Sequence, residues 1–143
     1  MSYNLSESIG FMLNRAQARV RNLFIQRLKE YNITPEQWIL FSKISEEEGI
    51  SPTDLSYITI RDKPYTTRLL DGLEERGAII REVSPNDKRS SLIFLTKQGA
   101  QLKKEILPVV SELNDWITET MNEEEIKLLK GLLNKLYEHI KEG

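Results

Sequence analysis

Ten basic side chains lie between Arg61 and Lys104 against six acids, although the whole chain carries a formal net charge of -2. Inside that stretch Lys63, Tyr65, Thr67 and Arg68 fall in one short segment, and Lys88 and Arg89 in another. Ammonium and guanidinium groups neutralise phosphate oxygens, and an arginine fork also bonds guanine edges, so these types offer recognition of a nucleic acid. Thr66, Leu69, Leu70 and Leu73 recur at helical spacing, with Tyr65, Arg68 and Gly72 opposite, which predicts a helix with one packed face and one free face. Pro64 suits its first position and Gly77 the position just past its end, a length of about three turns. Two apolar runs follow, Ala78 to Val83 and Ser91 to Leu95, separated by Ser84, Pro85, Asn86, Asp87, Lys88 and Arg89, which carry turn chemistry. A helix that fits a major groove, followed by a hairpin with a basic tip, has the parts needed to read duplex DNA.

Other chemistries are poorly furnished. With no cysteine, the chain has no disulfide framework, thiolate zinc site, cysteine nucleophile or thiol redox sensor. The single histidine, His139, has no serine elbow or carboxylate motif to work with and reads as a surface or interface residue. Asp115, Glu119 and Glu123 to Glu125 are acids at helix ends, where solvation is the ordinary state. Gly72, Gly77 and Gly99 punctuate helices and form no phosphate loop. The expectation is a protein that is not an enzyme, with no catalytic residues, no cofactor and no metal site.

The elements that must hold the basic segments can be followed along the chain. A length of 143 residues suits one domain with lobes. Apolar residues from Leu5 to Tyr31 keep a helical stripe for about seven turns, predicting one long amphipathic helix whose arginines are solvated. Thr34-x-x-Gln37 is a capping box that starts a second helix through Trp38, Ile39, Phe41 and Ile44, with Trp38 in the core. Gly49 ends it, and Ser51 caps a third with Leu55 and Ile58 inward. This third helix, a break at Ile60 to Lys63 and the basic helix together form a helix-turn-helix. From Thr96 two further amphipathic helices follow, the first carrying Leu113 and Trp116 on its stripe and a kink at Pro108, the second opened by Glu123 to Glu125. Their apolar surface exceeds what a small winged core covers, which implies a second copy of the chain as partner. Met1 to Glu7 lacks a basic region followed by an apolar stretch, and no segment approaches the roughly 18 apolar residues of a membrane span, so a cytoplasmic location without membrane contact is expected.

Thr67-Arg68-Leu69-Leu70-Asp71, Leu73-Glu74, Gly77, Arg81, Asp87-x-Arg89, Leu95-Thr96 and Gly99 together resemble the winged helix-turn-helix signature of the MarR family of bacterial transcriptional regulators, and Thr34-Pro35-Glu36-Gln37-Trp38 extends the likeness upstream. The resemblance implies a mainly α fold with a small β wing (α+β). It divides the chain into a DNA-binding lobe at 35–99 and a helical dimerisation lobe at 1–33 and 100–143, with Leu5 to Ile9 packing on Leu129 to Ile140. It also implies a homodimeric repressor on an inverted-repeat double-stranded operator, released by a small aromatic or anionic effector. The DNA-binding residues expected are Lys63, Pro64, Tyr65, Thr66, Thr67, Arg68, Asp87, Lys88 and Arg89, with Asp87 orienting Arg89. A winged helix can also serve as a protein-interaction module, in which case acids such as Asp71, Glu75 and Asp87 should interrupt the basic patch.

Overall fold

In a computed structural model, residues 3–141 are described, so the outermost residues of the expected dimerisation lobe, 1–2 and 142–143, lie outside the described residues. The chain falls into two compact units, one running to Val109 and one beginning at Val110. Six α-helices and a two-stranded antiparallel sheet make up the described residues: α1 (Ile9–Leu28), α2 (Pro35–Phe41), α3 (Pro52–Thr59), α4 (Lys63–Glu75), β1 (Ile79–Val83), β2 (Ser91–Leu95), α5 (Lys97–Ile117) and α6 (Glu123–Ile140). None of the helices is long and apolar enough to cross a membrane.

The first unit is organised about α4. It packs on α2, α3 and β1, and Leu70 and Leu73 are fully buried with Phe41, Leu55 and Ile93. Strands β1 and β2 pair with Ile79 opposite Leu95 and Val83 opposite Ser91. Ile50 adds a bridge to Ile93 beyond the hairpin, a contact that the sequence gives no periodicity to reveal.

Several expectations need correction. The predicted single helix from Leu5 to Tyr31 is broken: Leu5–Glu7 is a separate 3-10 turn, and the Ser8 side chain caps α1 by accepting the Phe11 N–H. Helix α2 stops at Phe41, so Ile44 is buried in the segment after it, while Ile39 faces outward. In α3, Ser56 is buried with Leu55, and Ile58 is exposed. Helix α5 holds Pro108 inside its span, and of its stripe Leu113 is buried while Trp116 is exposed.

Two joints fix α4. At its C-terminus Gly77 takes φ +79, its N–H donates to Glu74 O, and the Ala78 N–H donates to Leu73 O; these paired bonds satisfy carbonyls that the helix leaves open. The Thr96 hydroxyl donates to Gly77 O at 2.6 Å and accepts the Gly99 N–H at 2.9 Å, tying the start of α5 to the same turn. Gly99 approaches so closely that an added Cβ would sit 1.9 Å from Ala78 O.

Before α4, the turn rests on Ile60, which has φ 56. The Arg61 N–H reaches back to Ser56 O. A β-branched residue held left-handed costs roughly 1–2 kcal/mol, against the roughly 0.5–1 kcal/mol that glycine loses in entropy. Ile60→Gly is predicted to raise stability by up to about 1 kcal/mol on this balance, seen as a higher urea midpoint with unchanged slope at fixed protein concentration. A midpoint that stays or falls would show that the turn holds no such strain.

Candidate nucleic-acid interface

The first turn of α4 is built to meet an anion. The Asp62 side chain accepts the Tyr65 N–H at 2.8 Å and caps the helix; Lys63 and Pro64 follow, with no acid in the first turn. In α6 the first turn holds Glu123, Glu124 and Glu125, the arrangement that a helix N-terminus favours by itself. A lysine at the positive end of a helix opposes the dipole, which the Asp62 cap carboxylate offsets in part, and phosphate is an anion that such an end can also hold.

The predicted residues divide by position. Lys63, Pro64, Thr67 and Arg68 are exposed, and Tyr65 is half-buried. Thr66 is not part of the presented surface: it is fully buried, and its Oγ1 has no hydrogen-bond partner in the chain. Gly72, placed on the free face by spacing, instead packs towards α2, where a Cβ would meet Gln37 Nε2 at 2.9 Å. At the wing tip Asp87, Lys88 and Arg89 are all exposed. The Asp87 carboxylate accepts the Arg89 N–H at 2.9 Å, whereas the Arg89 Nε is 3.7 Å away on a side chain 95% exposed. Asp87 therefore shapes the backbone of the tip, and its carboxylate also lies within ion-pair distance of the exposed Arg89 guanidinium.

The sequence reading gives Arg81 only a place in the family signature and Arg61 only a charge, and the structure gives each a partner. Arg81, on β1, donates from Nη2 to Asp71 Oδ1 at 2.6 Å and places Nε 3.4 Å from Glu74 Oε1. It joins wing to helix by ion pairs with two α4 acids. Arg61 stands over the Tyr65 ring at 5.5 Å to the centroid, as does Arg68. The first could have been sought as a cation on a strand next to an acid-bearing helix; the second lies in a turn, where no periodicity speaks.

Behind the interface, a cavity of about 660 Å³ is lined by residues that include Arg21, Ile25, Ile33, Pro35, Gly72 and Arg76. Arg21 forks onto Glu36 through Nε at 3.0 Å and Nη2 at 2.7 Å, and the hydrogen bond and charge of Glu36 hold its guanidinium above the ordinary value. Arg76 donates to the carbonyls of Tyr31 and Asn32. Burial pushes the Tyr31 phenol up. On another side of the unit, Lys103 donates to Ile44 O at 2.8 Å, and burial, followed by the nearby Lys43 charge, lowers its ammonium. Among the described residues no group of three His, Asp or Glu side chains is disposed to hold a metal ion.

A capped basic helix behind a tight turn, braced to a two-stranded wing with a basic tip, defines a winged helix-turn-helix nucleic-acid-binding protein. Residues 33–91 match the sequence profile of the MarR family. The HTH-type transcriptional regulator FarR of Neisseria gonorrhoeae is 33% identical over 129 residues, covering 90% of this chain and 88% of FarR. The chain belongs to the MarR family, and is a transcriptional regulator rather than an enzyme. Its fold is that of solved relatives. A cysteine-to-serine mutant of Escherichia coli MarR complexed with operator DNA superposes with TM-score 0.85 at 28% identity, covering 94% of this chain and 99% of that one. A probable transcriptional regulator from Pseudomonas aeruginosa gives 0.86 at 28% identity, with 93% and 99% covered.

Two outcomes are predicted. Thr66→Val, which removes a buried hydroxyl at nearly constant volume, should stabilise the protein by about 1–2 kcal/mol in thermal or urea unfolding and leave duplex affinity unchanged; a loss of affinity would return that hydroxyl to the interface. Arg81→Gln should weaken duplex binding about tenfold at low salt, with the deficit shrinking as salt is added, because Asp71 and Glu74 are released beside the DNA. Adding Asp71→Asn should recover most of the loss. No recovery would mean that Arg81 acts through the strand and not through charge.

Proposed function

We propose that this regulator acts as a homodimeric repressor on an inverted-repeat operator, with α4 of each copy in a major groove and each wing tip on the flanking minor groove. The observation that carries the reading is the first turn of α4: exposed Lys63, Thr67 and Arg68 at a capped, acid-free helix N-terminus, with the neighbouring acids Asp71 and Glu74 occupied by Arg81. The E. coli relative solved with operator DNA supports it. The contact residues proposed are Lys63, Pro64, Tyr65, Thr67 and Arg68 from the helix and Asp87, Lys88 and Arg89 from the wing. The winged lobe spans 35–99, and the terminal helical regions, 1–33 and 100–143, form the dimer.

Exposed apolar side chains support that division. Helix α6 has no buried residue, and Leu128, Leu132, Leu133, Tyr137 and Ile140 are all exposed, as are Leu5, Ile9 and Met12 at the other end of the chain. An effector that is small, aromatic or anionic fits the cavity beside α1, α2 and α4, where Ile25, Ile33 and Pro35 offer apolar walls and Arg21 and Arg76 offer charge. The protein works in the cytoplasm, where its operator is.

Selection of bound fragments from the host genome tests the reading and names the regulated genes. The bound sites are predicted to be imperfect inverted repeats with half-site centres about 10–10.5 bp apart or a multiple of that spacing, and the free protein to have twice the chain mass at micromolar concentration. Protection of one asymmetric half-site by a monodisperse monomer would sink both parts.

The wing is tested separately. Lys88→Ala should lower the slope of log affinity against log salt by nearly 2, about 0.9 for a phosphate contact in each copy, and Arg89→Ala should weaken many sequences alike. Unchanged affinity and slope in both variants would reduce the hairpin to a structural flap while leaving the α4 assignment intact.

A further inference from the structure

Tyr65 is flanked by two guanidinium groups. The Arg61 and Arg68 Cζ atoms each lie 5.5 Å from its ring centroid; the Tyr65 backbone is fixed by the bond from its N–H to Asp62, and the residue is half-buried. Arg61 is fixed at its backbone as well, by the bond from its N–H to Ser56 O across the left-handed turn at Ile60. Both arginine side chains are otherwise exposed. A guanidinium resting on an aromatic face keeps its N–H edge pointing outward, so the fork stays available while the side chain loses rotamers before any DNA arrives.

We propose that Tyr65 is a platform that sets Arg61 and Arg68 as a matched pair of guanine-reading forks, which adds Arg61 to the interface and makes Tyr65 a positioning residue rather than a reader. This rests on the DNA-binding reading above. The geometry fixes the footprint. With both Cζ atoms 5.5 Å from one centroid, they are separated by no more than twice that distance, 11 Å. Each fork reaches about 3 Å further through its hydrogen bonds, and base pairs rise by about 3.4 Å along a strand, so the two guanines read by one copy lie within about five base-pair steps of each other. Charge favours the same assignment: of the acids nearby, Asp62 is engaged as the helix cap and Asp71 by Arg81.

The test is a selection from a random duplex pool with the full-length protein, repeated for four variants and followed by titration of the selected duplex and its single-base changes. The wild type is expected to select a half-site with two strongly preferred guanines at most about five steps apart. Arg61→Ala should lose preference at one and Arg68→Ala at the other, each with a drop of about 5- to 150-fold on the wild-type site. Tyr65→Phe should keep both preferences, and Tyr65→Leu should weaken both together while the melting temperature stays close to that of the wild type. Three results overturn the proposal. An equal loss of affinity for all sequences in Arg61→Ala, with a reduced salt slope, makes Arg61 a phosphate contact and leaves the DNA-binding reading in place. Retention of both preferences in Tyr65→Leu removes the platform. Failure of the wild type to enrich any duplex overturns this proposal and the DNA-binding reading with it. Should Tyr65→Leu not fold, the separate loss of one guanine in each arginine variant and its retention in Tyr65→Phe decide the matter.

Discussion

The constraint on which the structure turns is a helix that carries cations at its positive end. Lys63 stands in the first turn of α4 with Arg61 just before it and Arg68 beyond that turn, and the Asp62 carboxylate at the cap offsets the first two in part. A cation in the first turn opposes the helix dipole by about 0.3–1 kcal/mol, an effect that fades beyond it. Burial outweighs this: Leu70 and Leu73 are removed from solvent completely, and each contributes roughly 1.5–3 kcal/mol. The Asp62 cap adds about 1 kcal/mol more. The cationic end of the helix is thus held by its cap and by packing further along the same helix.

Rigidity is graded along the lobe in keeping with this. Gly77, Thr96 and Gly99 lock the end of α4, the start of the wing and the start of α5 into one joint by side-chain and backbone bonds. Arg81 then bridges the base of the wing to the helix. Past Val83 the hairpin depends on its own turn bonds, among them Ser84 N–H to Ser90 O and Arg89 N–H to Asp87. A helix that reads bases must be fixed to within a fraction of a base-pair step, whereas a tip that senses groove width and phosphate charge gains reach from an exposed side chain.

What the sequence disclosed and what it hid follow from the range of each signal. The caps Thr34 of α2 and Ser51 of α3, Gly77 past the end of α4, and the pairing of two short strands are local and legible, whereas the end of α2 at Phe41, well before Gly49, and the Asp62 cap of α4 are not. The break at Ser8 was hidden because the apolar period continues across it: Leu5 and Ile9 keep helical spacing although a 3-10 turn and a cap lie between them. In the eight residues of α3 there are too few turns to fix which stripe faces inward, so Ile58 was placed inside where Ser56 is. Threonine is ambiguous in type, and Thr66 could be read both as part of the packed face and as a donor to DNA until its burial decided it. Arg61 and Arg81 act through partners set by turn geometry and by strand-to-helix packing, neither of which a spacing rule expresses.

The terminal helices raise a different physical question, since α6 buries nothing yet carries Ile126, Leu128, Leu129, Leu132, Leu133, Leu136, Tyr137 and Ile140 over about half its circumference. An isolated helix of this length is marginal in water even with a good cap, and the Asn122–Glu125 capping box adds only a modest increment. An apolar arc that wide suits insertion between helices better than contact along a single seam. In the homodimer proposed above, the order of this helix is therefore set by association, and the stability of the helical region depends on protein concentration. Two reading heads are then held at a fixed spacing only while that association persists, so that strain in the helical region is felt at the operator as a mismatch in half-site spacing, without any change in the residues that touch DNA.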